Sequence, residues 1–394
     1  CLLRWTGIHS AAILSLSPAL IFSVGRGYEE VYLAIFCALS FILLTGIITV
    51  KHRTLQNIAG GIIFMLMPYA KGFVTPGAVI VGGLVLALLT TVWQRISARG
   101  SEKTRWMSKP HVVGSAVSTI VFVAMVILGI LGYNSTLAII ADNPIRYLTA
   151  LAFSLFDVVI LYTLFGMVAW PFVKPMLSAI VSIENSDIAI MTGYIAGILS
   201  AIILYVAALW TYEADIWGAE WPGVIWTMGN NGRYITMLFV PFVLLLKHLA
   251  KHTEIPTYDS AGAKLRVMGI TLLILLPLSL LASVHGQTMW TDEAAEAMEL
   301  SDGEHFLFVS DDTLAMHWLY TFYAPLDAGD KQITGHWRSM DSQWESELGS
   351  SLSQVNTLVT SPDVTLTPTG WLVKSDGEVD FLNGGGEWRV LTRM

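Results

Sequence analysis

The sequence predicts an all-α polytopic membrane bundle of about nine spans, followed by a small soluble α/β (α+β) domain at the C-terminal end. Hydrophobic residues make up 54% of the 394 positions and charged residues only 13%, whereas soluble domains carry about 25% charged residues. The charges are also unevenly shared, with a net of +5 over residues 1–285 and −13 over residues 286–394. The first range is therefore interpreted as the transmembrane domain and the second as an acidic exoplasmic domain.

Apolar segments in the first range supply the predicted spans, because about 20 apolar residues cross the hydrocarbon core of a bilayer. The eighth segment is short, and only the corner PYAKGFVTP separates the third from the fourth. The nine segments cover approximately residues 8–25, 31–50, 58–73, 76–94, 113–132, 148–173, 188–211, 234–246 and 267–285.

Basic residues between these segments predict the orientation, since cytoplasmic loops are enriched in lysine and arginine. The loops around residues 51–53, 95–109, 174 and 247–266 hold most of them and alternate with loops that hold few. The basic loops are therefore expected in the cytoplasm. An odd number of spans then places the loop at 212–233 and the C-terminal domain outside the cell membrane.

The acidic C-terminal range shows the pattern of a small mixed domain. Strands are predicted at 305–312, 331–337 and 356–361, with helical patterns at 313–326 and 342–355 between them. Two apolar runs around turn residues indicate a hairpin within 370–394.

Carboxylates on the predicted outer face are the first candidate site residues. Glu29 and Glu30 stand at the start of the second span, where they are either solvated loop acids or a base at the mouth of a cavity. The loop after the seventh span carries further acids and indoles that could bind substrate, namely Glu213, Asp215, Trp217 and Trp221. The alternative for these tryptophans is an interfacial aromatic belt.

Cations on the same face run against the usual charge bias and form the second candidate group. Each one alone is explained as a snorkelling anchor, but a bound phosphate would explain all of them, since arginine grips phosphate oxygens in bidentate fashion. The four cations are Arg26, Lys71, Arg146 and Arg233. Beside the last of them, Tyr234, Asn230 and Asn231 are predicted to contact the substrate.

Three stretches carry a family resemblance when they are taken in order. They are PALIFSVGRGYEEVYLAIFCALSFILL, then IAGGIIFMLMPYAKGFVTPGAVIVGGLVLALL, and later GRYITMLFVPFVLLL. The chain resembles the polytopic type C (GT-C) glycosyltransferase superfamily, which includes dolichyl-phosphate-mannose protein mannosyltransferases and lipid A aminoarabinose transferases. The resemblance covers residues 10–95 and 228–245.

The resemblance implies transfer of a hexose or pentose from a polyprenyl-phosphate carrier to a lipid, glycan or protein acceptor on the outer face. By this likeness Glu29 or Glu30 matches an acidic position, while Lys71 and Arg233 match cations near the carrier phosphate. The family's usual catalytic acid lies in the first outer loop, and no matching acid precedes Pro18. Because the chain opens at Cys1 without methionine, we expect an upstream portion to be missing.

Two other function classes remain open at this point. A transporter or flippase would need midplane charges or a repeated half, of which only Asp157 is present. A non-catalytic membrane scaffold would use the acidic domain to bind a partner. No nucleic acid is expected to bind, membrane lipids surround the spans, and no cofactor is predicted beyond a divalent cation that Glu213 and Asp215 could hold.

Overall fold

The computed structural model describes two compact units of the chain. Its described residues are 30–48, 51–98, 101–159, 180–216, 234–249, 289–312, 315–379 and 385–394, together with single positions between these ranges. One unit comprises Cys1–Asp215 with Ile225–Ser283, and the other comprises Ile216–Val224 with Val284–Met394.

The regular secondary structure in the described residues of the first unit is entirely helical. Residues 144–159 are helical as well, and short 3₁₀ segments cover Glu102–Ser108 and Thr236–Leu238. The labelled helices are α1 (Glu30–Thr45), α2 (Arg53–Ala70), α3 (Pro76–Ser97), α4 (Pro110–Ile130), α5 (Ser135–Asp142), α6 (Ser186–Ile216) and α7 (Phe239–Leu249).

Among the described residues, three helices are long and apolar enough to cross a membrane: α3, α4 and the Ser186–Asp215 part of α6. This confirms membrane-length helices at three of the predicted spans. The helix at the predicted span 31–50 is shorter, because it ends at Thr45 and the chain turns at Gly46 with a φ of 77°. The predicted spans at 8–25 and 267–285 lie almost wholly outside the described residues, so the total of nine stays a prediction.

Helices α2 and α3 form a hairpin whose backbones come into direct contact. A Cβ atom built on Gly61 would lie 2.2 Å from the carbonyl oxygen of Gly83, and one built on Gly83 would lie 2.8 Å from the Cα atom of Ile62. Only glycine allows such an approach. Gly61 and Gly83 therefore determine how closely the two helices pack, while Gly60 faces Leu43 and Leu44 of α1.

Buried polar side chains join α1, α2 and α3 at one end of this group. The Arg53 guanidinium donates to Gln94 at 3.3 Å and to the Leu44 carbonyl oxygen at 3.3 Å. The Asn57 amide donates to Thr91 at 2.9 Å and to Gln94 at 3.1 Å. Each of these bonds satisfies a polar group that would be costly to bury alone.

The second unit is built on a five-stranded mixed sheet with the strand order β2-β1-β3-β5-β4. Strand β1 pairs in parallel with β2 and β3, while β5 pairs antiparallel with β3 and β4. The strands are β1 (His305–Val309), β2 (Thr334–Arg338), β3 (Val355–Thr360), β4 (Trp371–Glu378) and β5 (Glu387–Arg393). A small C-terminal mixed domain is thereby confirmed.

Helices cover both faces of this sheet. On one face α8 (Trp290–Met298) and α9 (Ala315–Tyr323) pack on Phe306 and Phe308 of β1. On the other face, α10 (Trp344–Glu347) packs on Leu307 and Val309 of β1 through Trp344. The alternation along β1 sends successive side chains to opposite cores, as the pleat of a strand requires.

Two helix predictions in this unit were inaccurate. The helical pattern at 342–355 corresponds to the single turn of α10 followed by further turns, because Gly349 and the serines beyond it do not favour a continuous helix. Helix α8 has no counterpart among the predicted helices, since its polar segment TDEAAEA begins a few residues after the last predicted span. Its buried face combines the small side chains of Ala294 and Ala295 with the larger ones of Trp290 and Met298.

Candidate functional site

Glu30 is the first residue of α1, and its side chain is 3% exposed. A helix N-terminus carries a partial positive charge that favours a carboxylate. A carboxylate taken out of water nevertheless needs hydrogen-bond donors or a counter-charge. Glu30 therefore needs hydrogen-bond donors or a counter-charge from neighbouring elements.

Lys71 supplies a counter-charge from the C-terminal end of a helix. It caps α2, where its backbone N–H bonds to carbonyl oxygens of the last turn, and Gly72 follows with a φ of 71°. A cation at a helix C-terminus is favoured by the dipole. Its Nζ lies 3.8 Å from Glu30 Oε1, and its side chain is 13% exposed.

Tyr234 completes a cluster of three side chains from three separate segments. The Lys71 ammonium donates a hydrogen bond of 2.9 Å to the Tyr234 hydroxyl. The same Nζ atom lies over the tyrosine ring, 4.8 Å from its centre, so a cation–π contact accompanies the hydrogen bond. The structure thus brings together Glu30, Lys71 and Tyr234, which the sequence placed in one candidate site.

Oxygen Oε2 of Glu30 is buried and has no hydrogen-bond partner among the described residues. The Lys71 ammonium lies nearer to Oε1, and at 3.8 Å it is beyond ordinary hydrogen-bond length. A buried acceptor without a donor is costly. The arrangement therefore offers one carboxylate oxygen to a group that carries a proton.

Two further aromatic residues support the cluster and were not predicted. The ring of Tyr205 in α6 packs edge-to-face on Tyr234, with centroids 5.6 Å apart, and on Phe73, with centroids 5.3 Å apart. Edge-to-face packing of this kind is favourable. Tyr205 stands three helical turns after Tyr194, whose hydroxyl bonds to the Cys37 carbonyl oxygen of α1. That spacing on one face of α6 was the available signal.

Arg146 and Asp215 form a second, separate pair within the first unit. The guanidinium of Arg146 is hydrogen-bonded to the Asp215 carboxylate, which also accepts from the Asn143 amide at 3.4 Å. The two charged side chains are 31% and 32% exposed. Asp215 was predicted to contact substrate or a cation and Arg146 to bind phosphate, and the structure joins the two to each other.

We expect the Arg146–Asp215 pair to stabilise the unit only slightly. In a double-mutant cycle of Arg146→Met and Asp215→Asn, the coupling energy should be about 0.2–1 kcal/mol, because both partners are partly exposed. Thermal unfolding of the four proteins in one detergent measures it. A phosphate-binding role for Arg146 would instead appear as a loss of transfer in Arg146→Met that Asp215→Asn does not reproduce.

Of the other predicted site residues, the structure describes Glu213 and Trp221, and the rest lie beyond the described residues. Glu213 is 9% exposed within α6, and Trp221 is a partly buried turn residue of the segment Ile216–Val224. Arg26, Glu29, Trp217, Asn230, Asn231 and Arg233 fall outside the described residues.

Neither the comparisons with known proteins nor the arrangement of possible metal ligands assigns a function to the chain. No family model, curated protein or solved structure matches the chain. In the part of the chain that the structure describes, no three His, Cys, Asp or Glu side chains are grouped as metal ligands. The predicted cation at Glu213 and Asp215 therefore stays a prediction.

Proposed function

We propose that this protein is an integral-membrane glycosyltransferase that moves a sugar from a polyprenyl-phosphate carrier to an acceptor. The observation that supports this proposal is the buried cluster of Glu30, Lys71 and Tyr234, in which one carboxylate oxygen has no donor among the residues that the structure describes. Buried ionisable side chains in helical membrane units are functional candidates, because burying them is expensive.

The chemistry of such a transfer needs the two charges that this cluster supplies. An acceptor hydroxyl attacks the anomeric carbon, its proton passes to a base, and the carrier phosphate leaves with the bonding electrons. Glu30 Oε2 would take the proton. Lys71 would stabilise the departing phosphate, together with Arg233, which immediately precedes Tyr234 in the chain.

The proposal includes the topology that the charge bias predicts. Nine spans would place the Glu30 end of α1, the Lys71 corner and the segment before Tyr234 at one membrane surface, the exoplasmic one. The acidic C-terminal unit would lie on that same side. Labelling of single introduced cysteines with a membrane-impermeant reagent tests this orientation at residues 72, 302 and 103, of which only the last should be protected.

Removing the Arg233 guanidinium should abolish transfer. Arg233→Ala is expected to lose about 10²–10³ in rate, the usual effect of deleting one donor to a developing negative charge. The assay follows labelled sugar from a panel of polyprenyl-phosphate hexoses and pentoses in a membrane preparation. Arg95→Ala is the matched control, because Arg95 is an exposed cation at the far end of α3.

Turnover of Arg233→Ala equal to that of the wild-type protein would refute the phosphate-binding role. If the wild-type protein transfers no sugar but moves a labelled solute or lipid into proteoliposomes that lack an acceptor, the chain is a transporter. Failure of both assays, combined with capture of a partner by the C-terminal unit of the full chain, would support the scaffold.

A further inference from the structure

Two histidines face each other across parallel strands in the second unit. His305 opens β1, and His336 lies at the centre of β2. Nδ1 of His305 is 3.1 Å from Nε2 of His336, and the ring planes differ by only 11°. Both side chains are partly buried.

The geometry of this pair is that of one hydrogen bond with one shared proton. The ring centres are 5.4 Å apart and the two nitrogens 3.1 Å apart, a difference of about two ring radii. The nitrogens therefore lie close to the line between the ring centres, so that each is directed at the other. One nitrogen must carry the proton and the other must offer its lone pair.

This in-line geometry argues against a metal ion shared by the two rings. Two imidazoles that bind one zinc direct both lone pairs at a third point about 2.0–2.1 Å from each nitrogen. Here each nitrogen is directed at the other. The two nitrogens are therefore arranged to share a proton and not to bind a metal ion.

Charged groups around His336 come from its own strand and from the helix that covers it. Burial, then His305, then Arg338 lower the pKa of His336, and Glu347 of α10 opposes them. Arg338 hydrogen-bonds to Glu347 with an N–O distance of 2.6 Å. This bond lowers the pKa of the Glu347 carboxyl below its ordinary value, so the Arg338–Glu347 ion pair persists on mild acidification.

We infer that the His305–His336 pair is a pH-sensitive contact that holds edge strand β2 on β1 and is released when a second proton binds. In the neutral pair one ring donates and the other accepts, and a first added proton can leave that hydrogen bond in place. A second added proton charges both rings, so that both facing nitrogens carry N–H groups and two like charges meet at hydrogen-bond distance. In the described sheet, β2 stands at the end of the strand order with β1 as its neighbour. Loss of the contact therefore weakens the side-chain packing of this edge.

The direction of the effect follows from the lowered pKa of His336. The folded state resists protonation, whereas the unfolded chain takes up the proton near the ordinary histidine value of about 6.5. The stabilising contribution is therefore complete above about pH 6.5 and is lost as the pH falls below that value.

Hydrogen exchange of the full chain in nanodiscs at pH 7.5 and pH 5.0, corrected for the intrinsic exchange rates, tests the inference. Amides of β2 should exchange at least about fivefold faster at the lower pH, the factor that corresponds to the loss of one hydrogen bond. Amides of β5 should not change. In His336→Gln the amide replaces the imidazole without gaining charge, and the acid effect on β2 should fall below twofold.

The variant His305→Gln should lose the acid effect in the same way, which keeps the test decisive if His336→Gln folds poorly. His111→Gln, which changes an exposed histidine of α4 in the first unit, should retain the full response. Equal exchange of β2 at both pH values in the wild-type protein would overturn the inference. An undiminished acid effect in either paired variant would do the same.

Discussion

Glu30→Gln should lower sugar transfer by about 10²–10⁴-fold, the usual contribution of a positioned general base. Glutamine keeps nearly the shape of glutamate, but its amide cannot take a proton from an acceptor hydroxyl. Oxygen Oε2 of Glu30 is buried and meets no donor from the described part of the chain, so a proton-bearing group of the acceptor would be a suitable partner. This expectation rests on the proposed transferase activity and is measured with the labelled carrier assay.

Two further variants separate catalysis from folding in this experiment. Glu30→Asp retains the negative charge near Lys71 and should keep part of the activity. Glu102→Gln makes the same chemical change at an exposed position and should transfer sugar at the wild-type rate. Turnover of Glu30→Gln within about threefold of wild type, at an unchanged thermal midpoint, would exclude Glu30 as the base, since general bases contribute at least about 10²-fold.

Gly61→Leu should destabilise the first unit more than any other single change discussed here. A Cβ atom at this position would lie 2.2 Å from the Gly83 carbonyl oxygen, which is backbone and cannot rotate away. The two helices would have to separate, and overpacking of this kind costs about 1–3 kcal/mol, with larger values where the backbone must move. Gly61→Ala should show the same effect to a smaller degree.

The buried thiol of Cys37 provides the readout for this prediction. Cys37 is completely buried, so a thiol-reactive dye should label it only on unfolding; the measurement uses a Cys1→Ser background. Gly77→Ala is the matched control, because a Cβ atom there meets no other atom within 4 Å. It should be neutral or slightly stabilising, since alanine favours a helix over glycine. A thermal midpoint of Gly61→Leu equal to that of Gly77→Ala would contradict the prediction.

Charge alternation and the family resemblance together predict Glu30, Lys71 and Tyr234 as members of one site. Each stands at the end of an apolar segment, and alternation of basic loops assigned all three ends to one surface. The structure shows these three side chains close together; their role in transfer stays a prediction. Periodicity and turn residues likewise predicted the strands of the second unit, because Gly and Asn clusters interrupt its apolar runs.

Features that depend on long-range contact could not be predicted in this way. Tyr205 lies within an apolar segment, and only its spacing of three helical turns from Tyr194 distinguishes it from a residue that faces lipid. The pairing of Arg146 with Asp215 joins residues 69 positions apart, so each alone resembled a ligand-binding group. The parallel pairing of β1 with β2 and β3 depends on crossover connections, and strand patterns alone do not specify their order.

The length of α6 has a consequence for the bilayer that surrounds it. Its 31 residues span about 46 Å at 1.5 Å per residue, whereas the hydrocarbon layer is about 30 Å thick. The helix must therefore lean from the bilayer normal or extend beyond the acyl chains, and lipid chain length shifts the balance between the two. Tyr205 of α6 packs against Tyr234. A change in bilayer thickness that tilts α6 would therefore shift the aromatic contact beside Lys71.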